Sequence, residues 1–202
     1  MTGVHTCALP ILHVPSPDRV LPRENLVLFM GAIQKRKNVA RLVRAFERMH
    51  SGWRLALAGA SDGYGAAEEL KAVEASPRRA DIDVLGYVTD AQRDSLYRRA
   101  RIFAFPSLDE GFGMPILDAM AYGVPVVTSN ASAMPEVAGD ATLLVNPSEE
   151  EELAEALVRL ASDEALRTRL AQAGTERVRQ FTWEMAVEKT WRVYQGLLPG
   201  TI

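Results

Sequence analysis

The chain has one cysteine, Cys7, among 202 residues, which excludes an internal disulfide and fits a reducing compartment. A basic surplus is also missing. With 23 Lys and Arg against 26 Asp and Glu, the formal net charge is -3, the wrong sign for a face that tracks nucleic-acid phosphates. No apolar run reaches the roughly 18 residues that a membrane-spanning helix needs, although a membrane-surface role stays open. His5 and Cys7 are two ligands, short of a tetrahedral metal set. There is no internal repeat and no low-complexity linker. What is present is ordinary for a soluble globular protein, with 48% apolar and 24% charged residues. At this length one domain burying about 70% of its surface supports a sizeable core.

The first residues stand apart. MTGVHTCALPI has no hydrophobic period and lacks the basic-then-apolar layout of a secretory signal. It resembles translated sequencing-adapter text, so the native chain is expected to begin near Leu12 or later; a disordered natural terminus is the alternative. Residues 1–24 are therefore set aside as a non-native or disordered segment and linker.

From Asn25 the chain alternates between apolar runs of strand length and helix-period segments. LVLFM (26–30), RLALAG (54–59), IDVLG (82–86), IFAF (102–105) and VPVVTS (124–129) are nearly continuous apolar stretches, as parallel strands covered on both faces require. ATLLV (141–145) reads as a sixth. Helical patterns fall at 38–50, 65–76, 90–100 and 114–122. Thr89 with Gln92, and Ser148 with Glu151, have capping-box spacing and predict helix starts near 90 and 149. Beyond Pro147 the chain turns helical, with Leu153, Leu157 and Leu160 on one face and Leu166 and Leu170 on another. Trp183–Leu198 reads as a final amphipathic helix carrying Trp191 and Tyr194. His50 reads as a cation at a helix end. The repeated strand-helix order predicts an α/β fold, a Rossmann-like parallel sheet with helices on both faces and right-handed crossovers. Its core domain is expected over 25–182, with the last helix at 183–202 apart.

In such sheets ligands bind beyond the carboxyl ends of the strands, so the loops at 31–38, 59–65, 86–90, 106–114 and 129–135 share one edge. They carry Lys35, Arg36 and Lys37, the glycines Gly31, Gly59, Gly63 and Gly65, and the acidic Glu110. Most informative is DEGFGMPILDAMAYG (109–123), which sets Glu110 and Asp118 eight positions apart across a glycine loop and a helix start. Gly111 and Gly113 flank Phe112 and let backbone approach a ligand, while Pro115 suits a first helical turn. A basic cluster facing a carboxylate suits a ligand that is part polyanion and part polyol. Plainer readings exist for each piece. KRKN (35–38) could be a solvated loop, although Asn38 as an N-cap favours phosphate binding at the helix that follows. Glu110 could be a surface residue, and Asp118 could merely complement the helix dipole in the first turn. Phe103, Phe105 and Met120 read as core.

EGFGMPILDAMAYGVPVVTS, followed by SAMPEVAGDATLLVNP, resembles the signature of the retaining glycosyltransferases of family 4, which have the two-domain GT-B architecture. The likeness runs from about Val27, through GAIQKRKNVARLVRAF and DVLGYVTDAQRDSLYRRA, to FTWEMAVEKTWRVY, and matches the family's C-terminal half only. The resemblance implies donor binding by Gly31, Arg36, Lys37, Val88, Glu110, Gly111, Phe112, Gly113, Met114 and Asp118. Lys37 would contact the diphosphate and Glu110 the sugar hydroxyls, as the catalytic pair. Asp118 would hold the ribose, the 111–114 backbone the sugar and phosphate, and Tyr87, Val88 and Thr89 the base edge. It implies a nucleoside diphosphate sugar as substrate with no cofactor and no metal, and a glycan or lipid-linked acceptor held by the missing half. A cytoplasmic protein, with peripheral association at the inner membrane face open, is the matching location. Two positions depart from the family pattern: Ala32 stands where many members have a phosphate-binding arginine, a role open to Arg36 or Lys35, and Asp118 replaces the usual glutamate. A stand-alone nucleotide-sugar-binding module is the alternative reading, and a GT-B nucleotide-sugar epimerase a more distant one.

Overall fold

The computed structural model of the chain describes residues 22–197. The readings for His5, Cys7, the native start and Leu198 lie outside these residues. Six parallel strands form one sheet: β1 (Leu26–Met30), β2 (Arg54–Ala58), β3 (Ile82–Gly86), β4 (Ile102–Phe105), β5 (Val126–Ser129) and β6 (Thr142–Val145). Their order is β3-β2-β1-β4-β5-β6. The helices are α1 (Val39–Glu47), α2 (Ala66–Ala75), α3 (Asp90–Arg99), α4 (Met114–Ala121), α5 (Met134–Ala138), α6 (Glu150–Ser162), α7 (Glu164–Val178) and α8 (Trp183–Leu197).

The strand order explains the apolar runs. β1, β4 and β5 are buried along their whole length, because helices cover both of their faces. β3 and β6 are edges, and each leaves one leucine, Leu85 or Leu144, exposed. Right-handed crossovers put α1 and α2 on one face, where α6 packs against α1, and α3, α4 and α5 on the other, where α7 packs against α4. Phe29, Phe103 and Phe105 stack through the middle of the sheet, with Phe29–Phe105 at 6.1 Å and Phe103–Phe105 at 6.0 Å between ring centroids. Each such ring stabilises the fold by about 2 to 3 kcal/mol when it leaves water. Met120 is buried as well. The strand β1 begins a progression to β2 and β3 on one side, and β4 begins one to β5 and β6 on the other. The β1–β4 boundary is therefore the topological switch point, where a crevice opens beyond the strand ends.

Several local expectations need correction. The Thr89–Gln92 capping box forms, but Ser148 and Glu151 make none. Instead Glu152 reaches back to the Asn146 amide at 2.7 Å and Asn146 accepts from the Ser148 amide at 2.9 Å, so α6 starts at Glu150 without a side-chain cap. The loop expected at 129–135 contains the start of α5, a short helix led by Pro135. Asp118 sits in the second turn of α4, whose first turn carries no acid. His50 lies beyond the end of α1 and is exposed.

Candidate functional site

The loops after β1 and β4 meet at the switch point and are sewn together there. Leu108 N–H donates to the Arg36 carbonyl at 2.7 Å. Asn38 holds a left-handed conformation, φ 61°, and is buried. Its side chain does not cap α1; its Nδ2 donates to the Pro106 carbonyl at 3.0 Å and the Pro147 carbonyl at 2.9 Å. The α1 N-terminus is not an open anion site either, because the buried Glu69 carboxylate already accepts from Ala40 N–H at 2.7 Å. The reason is local: α2 packs against α1 and brings Glu69 onto its first turn.

A single 3-10 turn, Lys35–Lys37, carries two of the cations into the crevice. Lys37 lies with its ammonium 4.5 Å from the centre of the Phe105 ring and 2.5 Å from Glu110 Oε1; the two side chains are only 8% and 10% exposed. Arg36 places its guanidinium 2.9 Å from Glu110 Oε2 and stays 46% exposed, donating also to the Asp109 carbonyl at 3.0 Å. Lys35 is exposed and hydrogen-bonds through its backbone to Tyr64; it does not join the cluster. Of the two residues open to the role of the family's missing arginine, only Arg36 is thus at the site.

The electrostatics follow from this packing. Burial alone would raise the Glu110 carboxyl, but hydrogen bonds from Lys37 and Arg36 hold it below its ordinary value. Burial lowers the Lys37 ammonium below its ordinary value, with Glu110 opposing and Arg36 adding to the shift. Lys37 and Arg36 against the Glu110 carboxylate make this immediate cluster net positive, while the neighbouring Asp109 carboxylate is engaged by the Ser132 hydroxyl.

The glycines act by close approach. A Cβ on Gly59 would fall 2.0 Å from the Gly31 carbonyl oxygen, so the loops after β1 and β2 touch backbone to backbone. Gly113 precedes α4 with φ 111° and makes no side-chain cap; Pro115 brings no N–H and Ile116 N–H donates to the Gly113 carbonyl at 3.0 Å, so Met114 N–H is the first-turn amide that faces an incoming anion. Met114 is the first residue of α4 and Gly111 is open on its Cβ side. The Phe112 ring turns toward Phe181, edge-on at 6.0 Å, so the side chain braces the segment after α7. Asp118 is half-buried one turn along α4; burial raises the Tyr97 phenol and the Asp118 charge adds to the shift. Val88 sits apart: its side chain lines a groove with Leu85, Gln92 and Leu96 and is not brought to the Lys37–Glu110 cluster. Sequence reasoning missed Ser132, on the loop after β5, which hydrogen-bonds the Glu110 main chain. It also missed Glu69.

A pocket at the opposite end of the sheet, lined by Arg23, Arg101, Gly123 and Arg167, is structural. Arg23 donates there to the carbonyls of Tyr97, Ala100 and Tyr122.

The family description "Glycosyl transferases group 1" matches residues 17–177. The chain belongs to the glycosyl transferases group 1 family. It is 34% identical over 177 residues to an O-antigen chain mannosyltransferase B of Escherichia coli, covering 86% of this chain and 46% of that one. Its fold superposes on a sucrose-phosphate synthase from Thermosynechococcus elongatus with a TM-score of 0.77 at 28% identity, over 86% of this chain and 45% of the other. It also matches the C-terminal domain of a glycosyl transferase group 1 family protein from Francisella tularensis, with a TM-score of 0.68 at 26% identity, over 82% of this chain and 93% of that domain. The chain thus spans from about a quarter to about half the length of the curated relatives it matches, and its group 1 fold is that of a GT-B C-terminal domain. Among the described residues no helix is long and apolar enough to cross a membrane.

Proposed function

We propose that this chain is the donor-binding half of a retaining glycosyltransferase that moves a hexosyl group from a nucleoside diphosphate sugar to a glycan or lipid-linked acceptor. The observation that carries the reading is the Lys37–Glu110 contact of 2.5 Å across the switch point, where one small ligand reaches a cation and a carboxylate together. Lys37, Arg36 and the Met114 N–H at the start of α4 face the diphosphate and stabilise the charge that grows on it as the glycosidic bond breaks. With that charge met by fixed cations and backbone amides, no metal is needed. Glu110 accepts hydrogen bonds from hydroxyls of the transferred sugar, and Asp118 from the ribose. The 111–114 backbone borders the sugar and phosphate, and the backbone near Val88 borders the base.

The acceptor is held by a second domain, against which the apolar face of α8 packs. Where that acceptor is lipid-linked, the enzyme works at the inner face of the membrane. The isolated chain binds nucleotide weakly and turns over little. Calorimetric titration with UDP, GDP, UDP-glucose and GDP-mannose tests this reading. Binding of one nucleotide at micromolar to millimolar concentration is expected; failure of all of them at millimolar concentration overturns it.

A further inference from the structure

Ser132 lies one strand beyond the Lys37–Glu110 pair, on the loop after β5. Its φ of 54° is in the left-handed region, which a non-glycine residue enters only when its surroundings hold it there. Its hydroxyl accepts from the Glu110 amide at 3.2 Å and lies 2.7 Å from both the Glu110 carbonyl and Asp109 Oδ1. A hydroxyl has one proton, so it donates to one of these oxygens at a time while accepting from the Glu110 N–H. One side chain therefore grips the main chain of Glu110 and also occupies the neighbouring carboxylate.

That grip matters because the loop beyond Glu110 is rich in glycine. Two of the next three residues, Gly111 and Gly113, are glycines, whose backbone freedom would otherwise let the loop sample many orientations before a ligand arrives. We propose that Ser132 is a positioning residue for the donor sugar: it fixes the Glu110 backbone so that the carboxylate is presented to the sugar, and it keeps Asp109 from competing for Arg36 and Lys37. This rests on the donor-site reading above.

Ser132→Ala and Ser132→Gly separate the hydroxyl from the backbone. Both remove the hydroxyl, but glycine tolerates positive φ and alanine does not. In the ligand-free chain, amide hydrogen exchange at residues 109–112 is expected to rise in both variants, with β4 unchanged. On titration, the affinity that UDP-glucose or GDP-mannose gains over UDP or GDP should fall about fivefold to tenfold in both, as loss of one hydrogen bond implies. Affinity for the bare nucleotide should stay within about twofold. Unchanged exchange overturns the proposal, as does a Gly variant that behaves as wild type beside an impaired Ala variant, or equal losses for nucleotide and sugar nucleotide. A wild-type chain that binds no nucleotide overturns the donor-site reading and this proposal's role for the sugar with it. Unaltered variants on a chain that does bind overturn only the role of Ser132.

Discussion

Glu110→Gln removes a charge and the acceptor that faces Arg36, while the amide keeps the carboxylate's shape and its oxygen still accepts from Lys37. At present that carboxylate offsets one of two cations, Lys37 and Arg36; with glutamine the local surplus rises by one charge. For a phosphate about 6 Å from residue 110, one unit charge is worth about 2.8 kcal/mol at an effective dielectric of about 20, and about 0.7 kcal/mol in water. The crevice lies between these limits, because Lys37 is buried while Arg36 is half in solvent. A gain of about 1 kcal/mol, or roughly fivefold tighter binding of the nucleoside diphosphate, is expected. In a two-domain enzyme carrying this half as its donor-binding domain, the proposed contact of Glu110 with the sugar implies that transfer falls by about 100-fold or more, because such a group acts on the transition state.

The same substitution removes the carboxylate charge that opposes the burial-driven lowering of Lys37. Its ammonium titrates still lower, so the affinity gain is fully present at low pH and is lost as pH rises through that titration. The assay is calorimetry with UDP and GDP at neutral pH, at about 50 mM and about 500 mM salt, where screening should erase most of the gain. A thermal melt checks that the variant is folded. Nucleotide affinity that falls in step with transfer, or a gain indifferent to salt, would refute the assignment of Glu110 to the sugar.

Three further outcomes are expected from the same geometry. Asp118→Asn should weaken binding of the ribonucleotide about tenfold and narrow its advantage over the 2′-deoxynucleotide, measured by competition titration; an unchanged ratio would remove Asp118 from the ribose. Asn38→Ala should cost about 2 to 3 kcal/mol in urea denaturation, since it strips the Pro106 carbonyl of a buried donor, weakens the grip on Pro147 and leaves alanine at positive φ. A loss under about 0.5 kcal/mol would mean water replaces the carboxamide. Trp191 and Tyr194 are 56% and 58% exposed, so the isolated chain should self-associate in light scattering, and Trp191→Ser with Tyr194→Ser should abolish it.

The backbone plan was legible because burial on both faces writes an unbroken apolar run. LVLFM, IDVLG and IFAF coincide with β1, β3 and β4 residue for residue. Where the apolar text ran past the ladder, punctuation had the last word: Gly59 and the Val124-Pro125 pair lie outside β2 and β5. Pro125 retains a part, because its carbonyl accepts from Phe103 N–H at 2.9 Å. Five residues of helix after a proline, as in α5, leave too little periodicity to separate helix from turn. The Ser148 box failed for a different reason, since Asn146 two residues earlier competes for the same backbone donors.

The site divides along the same line. Lys37 and Glu110 could be paired from sequence because each follows a central strand, and strand order alone brings the two loops together. Their fixing could not. Asn38, Glu69 and Ser132 act across 68, 29 and 22 residues of sequence respectively, and no local spacing encodes which carbonyl or amide a loop side chain will meet. Asn38 shows the mechanism: asparagine before a helical pattern reads as an N-cap, yet the left-handed backbone that asparagine also tolerates turns its carboxamide inward to bridge the loops after β4 and β6. The α1 donors it forgoes are met in part by Glu69. On the proposed donor-site reading, the anion therefore meets the Lys37–Arg36 pair after β1 rather than the start of α1, where Glu69 already takes the Ala40 N–H.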